Sequence, residues 1–177
     1  HRPLYDWVVN ECEFPEPPRQ IEFAKLYLTN VVTGKRYIKK LVEDGSITVE
    51  YRNMIILDRG SPTQYSARTA NAAYAVANQV SADKYLEFQK ELFERQGGGD
   101  LNNQQIADIA AKYGANISSD LNDNKWRPLV NVVNEESLNN GVHGTPAIYA
   151  DGEQFPGPKS EDFPKWVQGK IDAKKQQ

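Results

Sequence analysis

The chain has 177 residues, of which 39% are hydrophobic and 25% charged. That suits one domain, or one domain carrying an inserted subdomain, and excludes global disorder. A net charge of −3 excludes the basic face a nucleic-acid partner requires, and no apolar run approaches the roughly 20 residues of a membrane span. No secretory leader is legible. The single cysteine, Cys12, rules out an intramolecular disulfide and a cysteine-rich zinc site.

Residues 4–13 hold Trp7, Val8 and Val9 and run into Pro15, Pro17 and Pro18, which predicts a strand ending in a turn. From Arg19 to Glu43 the spacing is helical. Ile21, Ala24, Leu28 and Val31 fall three or four apart, and Tyr37, Ile38, Leu41 and Val42 continue the stripe after a break at Gly34. Asp44-Gly45 should close that helix. A second strand is expected from Ile47 to about Leu57.

The middle of the chain reads as helices. Residues 63–79 carry Ala67, Ala70, Ala73, Tyr74 and Ala77, a small-residue face suited to close packing. Ser81 can cap a helix holding Tyr85, Phe88 and Leu92. Asn102 with Gln105 resembles a capping box for a helix with Ile106, Ile109, Ala110 and Tyr113, closed by Gly114. Pro128 fits the first turn of another, with Leu129, Val132, Val133 and Glu136 along one face. The period then returns to that of strands. Residues 147–150, a turn at Asp151-Gly152 and residues 153–155 predict a hairpin. Ser160 can cap a last helix that buries Phe163, Trp166, Val167 and Ile171.

The order strand–helix–strand, helical block, strand–strand–helix predicts an α/β thioredoxin-like fold with an inserted helical subdomain. Residues 1–60 and 141–177 would form the thioredoxin-like domain and residues 61–140 the insertion. Three segments resemble the exported actinobacterial DsbA-like thiol–disulfide oxidoreductases: VEYRNMIILDRGSPTQYSARTANAAYAVANQ (49–79), LNNQQIADIAAKYGA (101–115) and GVHGTPAIYADGEQFPG (141–157). The resemblance implies a cis peptide bond between Thr145 and Pro146, in a loop that borders the catalytic dithiol and can pair with an extended substrate segment. It also implies an extracytoplasmic location, with any membrane anchor lying outside this sequence.

The chemistry of that family is missing. Dithiol exchange needs a thiolate at a helix N-terminus and a second cysteine to resolve the mixed disulfide. The family's C-P-x-C aligns in one register with Phe14-Pro15-Glu16-Pro17 and in another with Ala24-Lys25-Leu26-Tyr27. The first is better supported, because a strand and turn residues precede it. Neither holds a cysteine. Relatives often carry a further, disulfide-bonded cysteine where this chain has Ala75.

Cys12 reads first as a small apolar residue near the end of a buried strand; the alternative is a monothiol that forms a mixed disulfide. His143 precedes the Gly144-Thr145-Pro146 loop and could line a groove, although a lone loop histidine more often bonds locally. No carboxylates or second histidine stand at ligand spacing beside it, so no metal is expected. Asp58-Arg59 should form an ion pair or stabilise a turn. Gly97-Gly98-Gly99 lacks the Lys-Ser/Thr of a phosphate loop. The expectation is a redox-inactive module without cofactor that binds an extended peptide or protein between residues 14–17 and 143–146. The competing expectation is a monothiol oxidoreductase or isomerase-like enzyme working through Cys12.

Overall fold

The structure is a computed structural model that describes residues 40–95, 98–144, 147–156 and 163–177. The predicted first strand, nearly all of the first helix and the Ser160 cap lie outside the described residues. The chain divides into two compact units, one containing Arg52–Gly144 and the other the described parts of Pro15–Tyr51 and Thr145–Gln177.

The helical unit begins with a 3-10 helix, Ile56–Gly60, followed by α1 (Tyr65–Ala77), α2 (Ala82–Glu94), α3 (Asn103–Lys112), α4 (Ser118–Asn122) and α5 (Arg127–Asn139). Its centre is α1, which touches the 3-10 helix and each of α2 to α5. Eight consecutive residues, Ala70 to Ala77, are buried. The predicted face of Ala67, Ala70, Ala73, Tyr74 and Ala77 is buried, but burial extends beyond it to Asn71, Ala72, Ala75 and Val76, which the small alanines permit. Phe88, Ile106, Ile117, Val130 and Val133 fill the remaining interior.

Local capping follows the sequence closely. The Ser81 side chain accepts from Lys84 N–H at the start of α2. At α3 the full capping box forms: Asn102 Oδ1 accepts from Gln105 N at 2.8 Å, and Gln105 Oε1 accepts from Asn102 N at 2.9 Å. Pro128 sits in the first turn of α5, where its missing N–H costs nothing. The buried face of α5, however, is Leu129, Val130, Val133 and Ser137. Val132 and Glu136, placed on that face by spacing, are only half-buried.

The predicted second strand is much shorter than Ile47–Leu57. Ile47 and Val49 are buried and Glu50 makes a single bridge, after which the chain leaves extended structure and coils into the 3-10 helix. The reason lies across the unit: Ile55 N–H donates to Asn134 Oδ1 of α5 at 3.0 Å, not to a neighbouring strand.

In the second unit, a helical turn over 40–43 ends at Gly45, whose φ is +76°. Ser46 N–H donates to Leu41 O at 2.9 Å and Gly45 N–H to Val42 O at 3.1 Å, a Schellman ending that needs a left-handed residue at this position. The hairpin pairs β1 (Tyr149–Ala150) with β2 (Glu153–Gln154), Tyr149 opposite Gln154 and Ala150 opposite Glu153. Asp151 and Gly152 both have positive φ, +49° and +82°, as a two-residue type I′ turn demands. Helix α6 (Phe163–Lys175) buries Phe163, Val167 and Ile171, which join Leu41, Ile47, Val49 and Ile148 in one core. Trp166 is half-buried and completes an aromatic cluster, with ring centroids 5.2 Å from Phe155 and 6.3 Å from Phe163. No helix among the described residues is long and apolar enough to cross a membrane.

Candidate functional site

The loop singled out by sequence follows α5. Gly141, at φ +84°, lets the helix end in a second Schellman motif: Val142 N–H donates to Ser137 O and Gly141 N–H to Leu138 O, both at 3.0 Å. Val142 is buried, whereas His143 and Gly144 are exposed. Ala147 and Ile148 are buried again at the entry to the hairpin. At the end of its own unit, the chain is tied down by Val142, and the described part of the loop presents the His143 imidazole and the side-chain-free backbone of Gly144 to solvent. Chemically, His143 and Gly144 can exchange hydrogen bonds with an extended chain through the imidazole and the open backbone.

Thr145 and Pro146 lie outside the described residues. So do Cys12, Phe14, Pro15, Glu16 and Pro17, and the alternative register Ala24–Tyr27. Of the predicted groove, only His143 and Gly144 are described. Ala75 is fully buried within α1. Among the described residues no group of three His, Cys, Asp or Glu side chains could hold a metal ion.

Asp58 does stabilise a turn, in a specific way. Its Oδ1 accepts from Ser66 N at 2.8 Å and its Oδ2 from Ala67 N at 3.1 Å. One carboxylate thus satisfies two of the orphan donors at the start of α1. The residue at the N-cap position, Gln64, is left-handed (φ +51°) and gives no side-chain cap, so the cap comes from the 3-10 helix.

Sequence spacing did not reveal three polar clusters. Asn71, only 1% exposed, accepts from Trp126 N–H at 2.8 Å and donates to Asp120 O at 3.4 Å, while Trp126 Nε1–H donates to Asp120 Oδ2 at 2.9 Å. Glu91 on α2 accepts from Lys112 and Arg95 at 2.6 Å and from Tyr113 Oη–H at 2.7 Å. Partial burial works against ionisation of Glu91, but these three donors outweigh it and hold the carboxyl down at about 2. Tyr113 is pushed up to about 12 by its own desolvation and by the Glu91 charge it faces. Third, Arg52, 6% exposed, meets Glu136 at 3.5 Å. Each joins residues far apart in sequence, and the first two lock helices together.

The sequence model of the family described as thioredoxin matches residues 30–169. The chain belongs to the thioredoxin family. Solved structures place this thioredoxin-family chain in a narrower fold group. It is similar to the reduced form of a disulfide bond oxidoreductase (DsbG) from Mycobacterium tuberculosis, with a TM-score of 0.69 and 22% identity over 88% of this chain and 80% of that one. It is similar also to MdbA, a thiol–disulfide oxidoreductase from Corynebacterium diphtheriae, with a TM-score of 0.69 and 19% identity over 92% and 91% of the two chains. The fold is thioredoxin-like with an inserted helical subdomain, as in DsbA-like proteins.

A different relative matches a shorter stretch. Over 47 residues, 27% of this chain, the sequence is 60% identical to glutamine--tRNA ligase from Clostridium perfringens, but the match spans only 8% of that enzyme. The chain spans less than a tenth of the length of the curated relatives it matches. The thioredoxin-family match begins at residue 30, downstream of both 14–17 and 24–27. The only cysteine in the whole sequence is Cys12, so no CxxC exists in either register.

Proposed function

We propose that this thioredoxin-family chain is a redox-inactive binding module that receives an extended peptide or protein segment at the loop His143-Gly144-Thr145-Pro146 and acts outside the cytoplasm. The single observation that carries the reading is the cysteine inventory: one thiol, Cys12, cannot form and resolve the intramolecular disulfide that dithiol exchange requires. The exposed His143 and Gly144, which follow the buried Val142, support the binding half of the proposal. An exposed backbone segment next to a buried anchor suits recognition through main-chain hydrogen bonds. The similarity to disulfide oxidoreductases supports the extracytoplasmic location, since disulfide chemistry operates in oxidising compartments.

The test has two arms. Wild-type protein is assayed for dithiothreitol-driven insulin reduction and for refolding of a scrambled disulfide substrate, with no turnover above background expected. It is then titrated with reduced, carboxymethylated insulin B chain, an extended peptide without free thiols. Saturable amide shifts centred on 142–148 are the expected outcome. Turnover abolished by Cys12→Ser would replace the proposal with a monothiol enzyme, and unmoved shifts at His143 and Gly144 would refute the binding role.

A further inference from the structure

We infer that Asn140 is a site of spontaneous deamidation, through cyclisation onto the backbone nitrogen of Gly141, and that the product releases the helix ending from which the exposed loop at His143 departs. The inference goes beyond the proposed binding role and is decided without it. Of the asparagines in the chain, only Asn140 is followed by glycine. The reaction needs the next backbone nitrogen to reach the asparagine Cγ. A following side chain obstructs that approach, and glycine leaves it clear. Asn140 and Gly141 are both exposed. Among the described residues, and apart from the two chain neighbours of Gly141, no heavy atom lies within 4 Å of the point where a β-carbon on Gly141 would stand. Water can therefore reach the ring once it has formed.

The chemistry balances with water as the only co-reactant. The Gly141 nitrogen attacks Cγ of Asn140, and the new bond closes a succinimide. The Cγ–Nδ2 bond breaks, and Nδ2 leaves as ammonia with the proton that the Gly141 nitrogen gives up. Water then opens the ring at either carbonyl. One opening gives aspartate. The other gives isoaspartate, whose main chain runs through Cβ and is longer by one methylene.

The end of α5 meters this reaction. Asn140 Nδ2–H donates to Glu136 O at 2.7 Å, and Gly141 N–H donates to Leu138 O at 3.0 Å, so leaving group and nucleophile are both engaged. Attack requires both bonds to open, and helix ends open far more readily than a core. The product then changes the ending. Aspartate replaces the Nδ2 donor with a carboxylate turned toward the Glu136 carbonyl. It does so at a helix C-terminus, which disfavours negative charge, and the last turn of α5 holds no basic residue. Isoaspartate also lengthens the backbone inside the rings closed by Gly141 N–H on Leu138 O and by Val142 N–H on Ser137 O. Neither bond keeps its geometry, and the main-chain hold on the segment leading to His143 and Gly144 is lost.

The test ages the full chain in mildly alkaline buffer at physiological temperature, once folded and once in urea, and cleaves it after glutamate. The fragment Ser137–Glu153 carries Asn139 and Asn140. Fragment ions assign the mass gain to one or the other, and isoaspartyl methyltransferase labelling identifies isoaspartate. In the folded chain Asn140 should convert ahead of every other asparagine. Its rate should be about 5- to 30-fold below that in urea, the slowing that about 1–2 kcal/mol of local opening produces. Asn140→Gln should abolish the modified fragment. An Asn140 that converts in urea but not in the folded chain would overturn the inference, as would another asparagine leading or a modified fragment persisting in Asn140→Gln. The isoaspartate fraction, resolved by anion exchange, should exchange its Gly141 and Val142 amides about tenfold faster or more. Unchanged exchange there would overturn the release of the helix ending.

Discussion

Replacing Asn71 with alanine offers the sharpest test of how the helical unit is held together. Asn71 lies on α1 and its side chain reaches both Asp120 in the middle of α4 and Trp126 at the start of α5. In Asn71→Ala the Trp126 N–H, inside a residue only 7% exposed, loses the Asn71 Oδ1 acceptor, a buried hydrogen bond whose removal costs about 1–3 kcal/mol. The missing carboxamide leaves a void that adds about 1 kcal/mol. The total, about 2–4 kcal/mol, corresponds to a fall in Tm of about 5–15 °C for a protein of this size. Urea unfolding followed by tryptophan fluorescence measures it, with the midpoint expected to fall and the slope to stay constant. Asn71→Leu retains volume without the acceptor, so its loss isolates the hydrogen-bond share. Asn71→Asp keeps an acceptor for Trp126 but turns a carboxylate toward the Asp120 carbonyl. It should be destabilising at neutral pH and partly recover in acid, where the protonated group can donate again. A loss under about 1 kcal/mol for Asn71→Ala would refute the reasoning, because Trp126 N–H must then find another acceptor.

Two further outcomes follow from named contacts. Glu91 is held down at about 2 in the folded protein against 4.5 as its ordinary value. A depressed carboxyl stabilises fully above its unfolded value and loses that contribution as pH falls from about 4.5 to about 2. After screening at a partly exposed site this is worth about 1–2 kcal/mol. Thermal unfolding at pH 7 and pH 3 should therefore show a smaller acid loss in Glu91→Gln than in wild type, and equal losses would contradict the assignment. Asp58→Ala removes the acceptor from both Ser66 and Ala67 N–H and should cost about 1–2 kcal/mol, with amide exchange in the first turn of α1 accelerated before that of its C-terminal half.

Helix ends and turns were legible because they depend on neighbours in sequence. The Asn102–Gln105 box, the Ser81 cap, the glycine endings at 45 and 114 and the Asp151-Gly152 turn each involve groups a few residues apart, so residue type settles the local geometry. The 3.6-residue period likewise placed the buried Tyr85, Phe88 and Leu92 of α2, Ile106, Ile109 and Ala110 of α3, and Phe163, Val167 and Ile171 of α6, whereas Tyr113 and Trp166, expected on the same faces, are half-buried. The absence of a CxxC is a property of the sequence alone. What the sequence could not decide were contacts that cross it. The second strand ends early because Asn134, 79 residues away, takes the Ile55 N–H. The cap of α1 comes from Asp58 and not from the N-cap residue because Gln64 turns left-handed. The inner face of α5 includes Val130 and Ser137 because α1 packs there, rotating burial away from Val132 and Glu136. Asn71 looked like one polar residue in an alanine-rich run, yet only the folded unit brings Asp120 and Trp126 to it. Periodicity records which side of an element is apolar; long-range hydrogen bonds and helix rotation are set by partners that meet only when the chain folds.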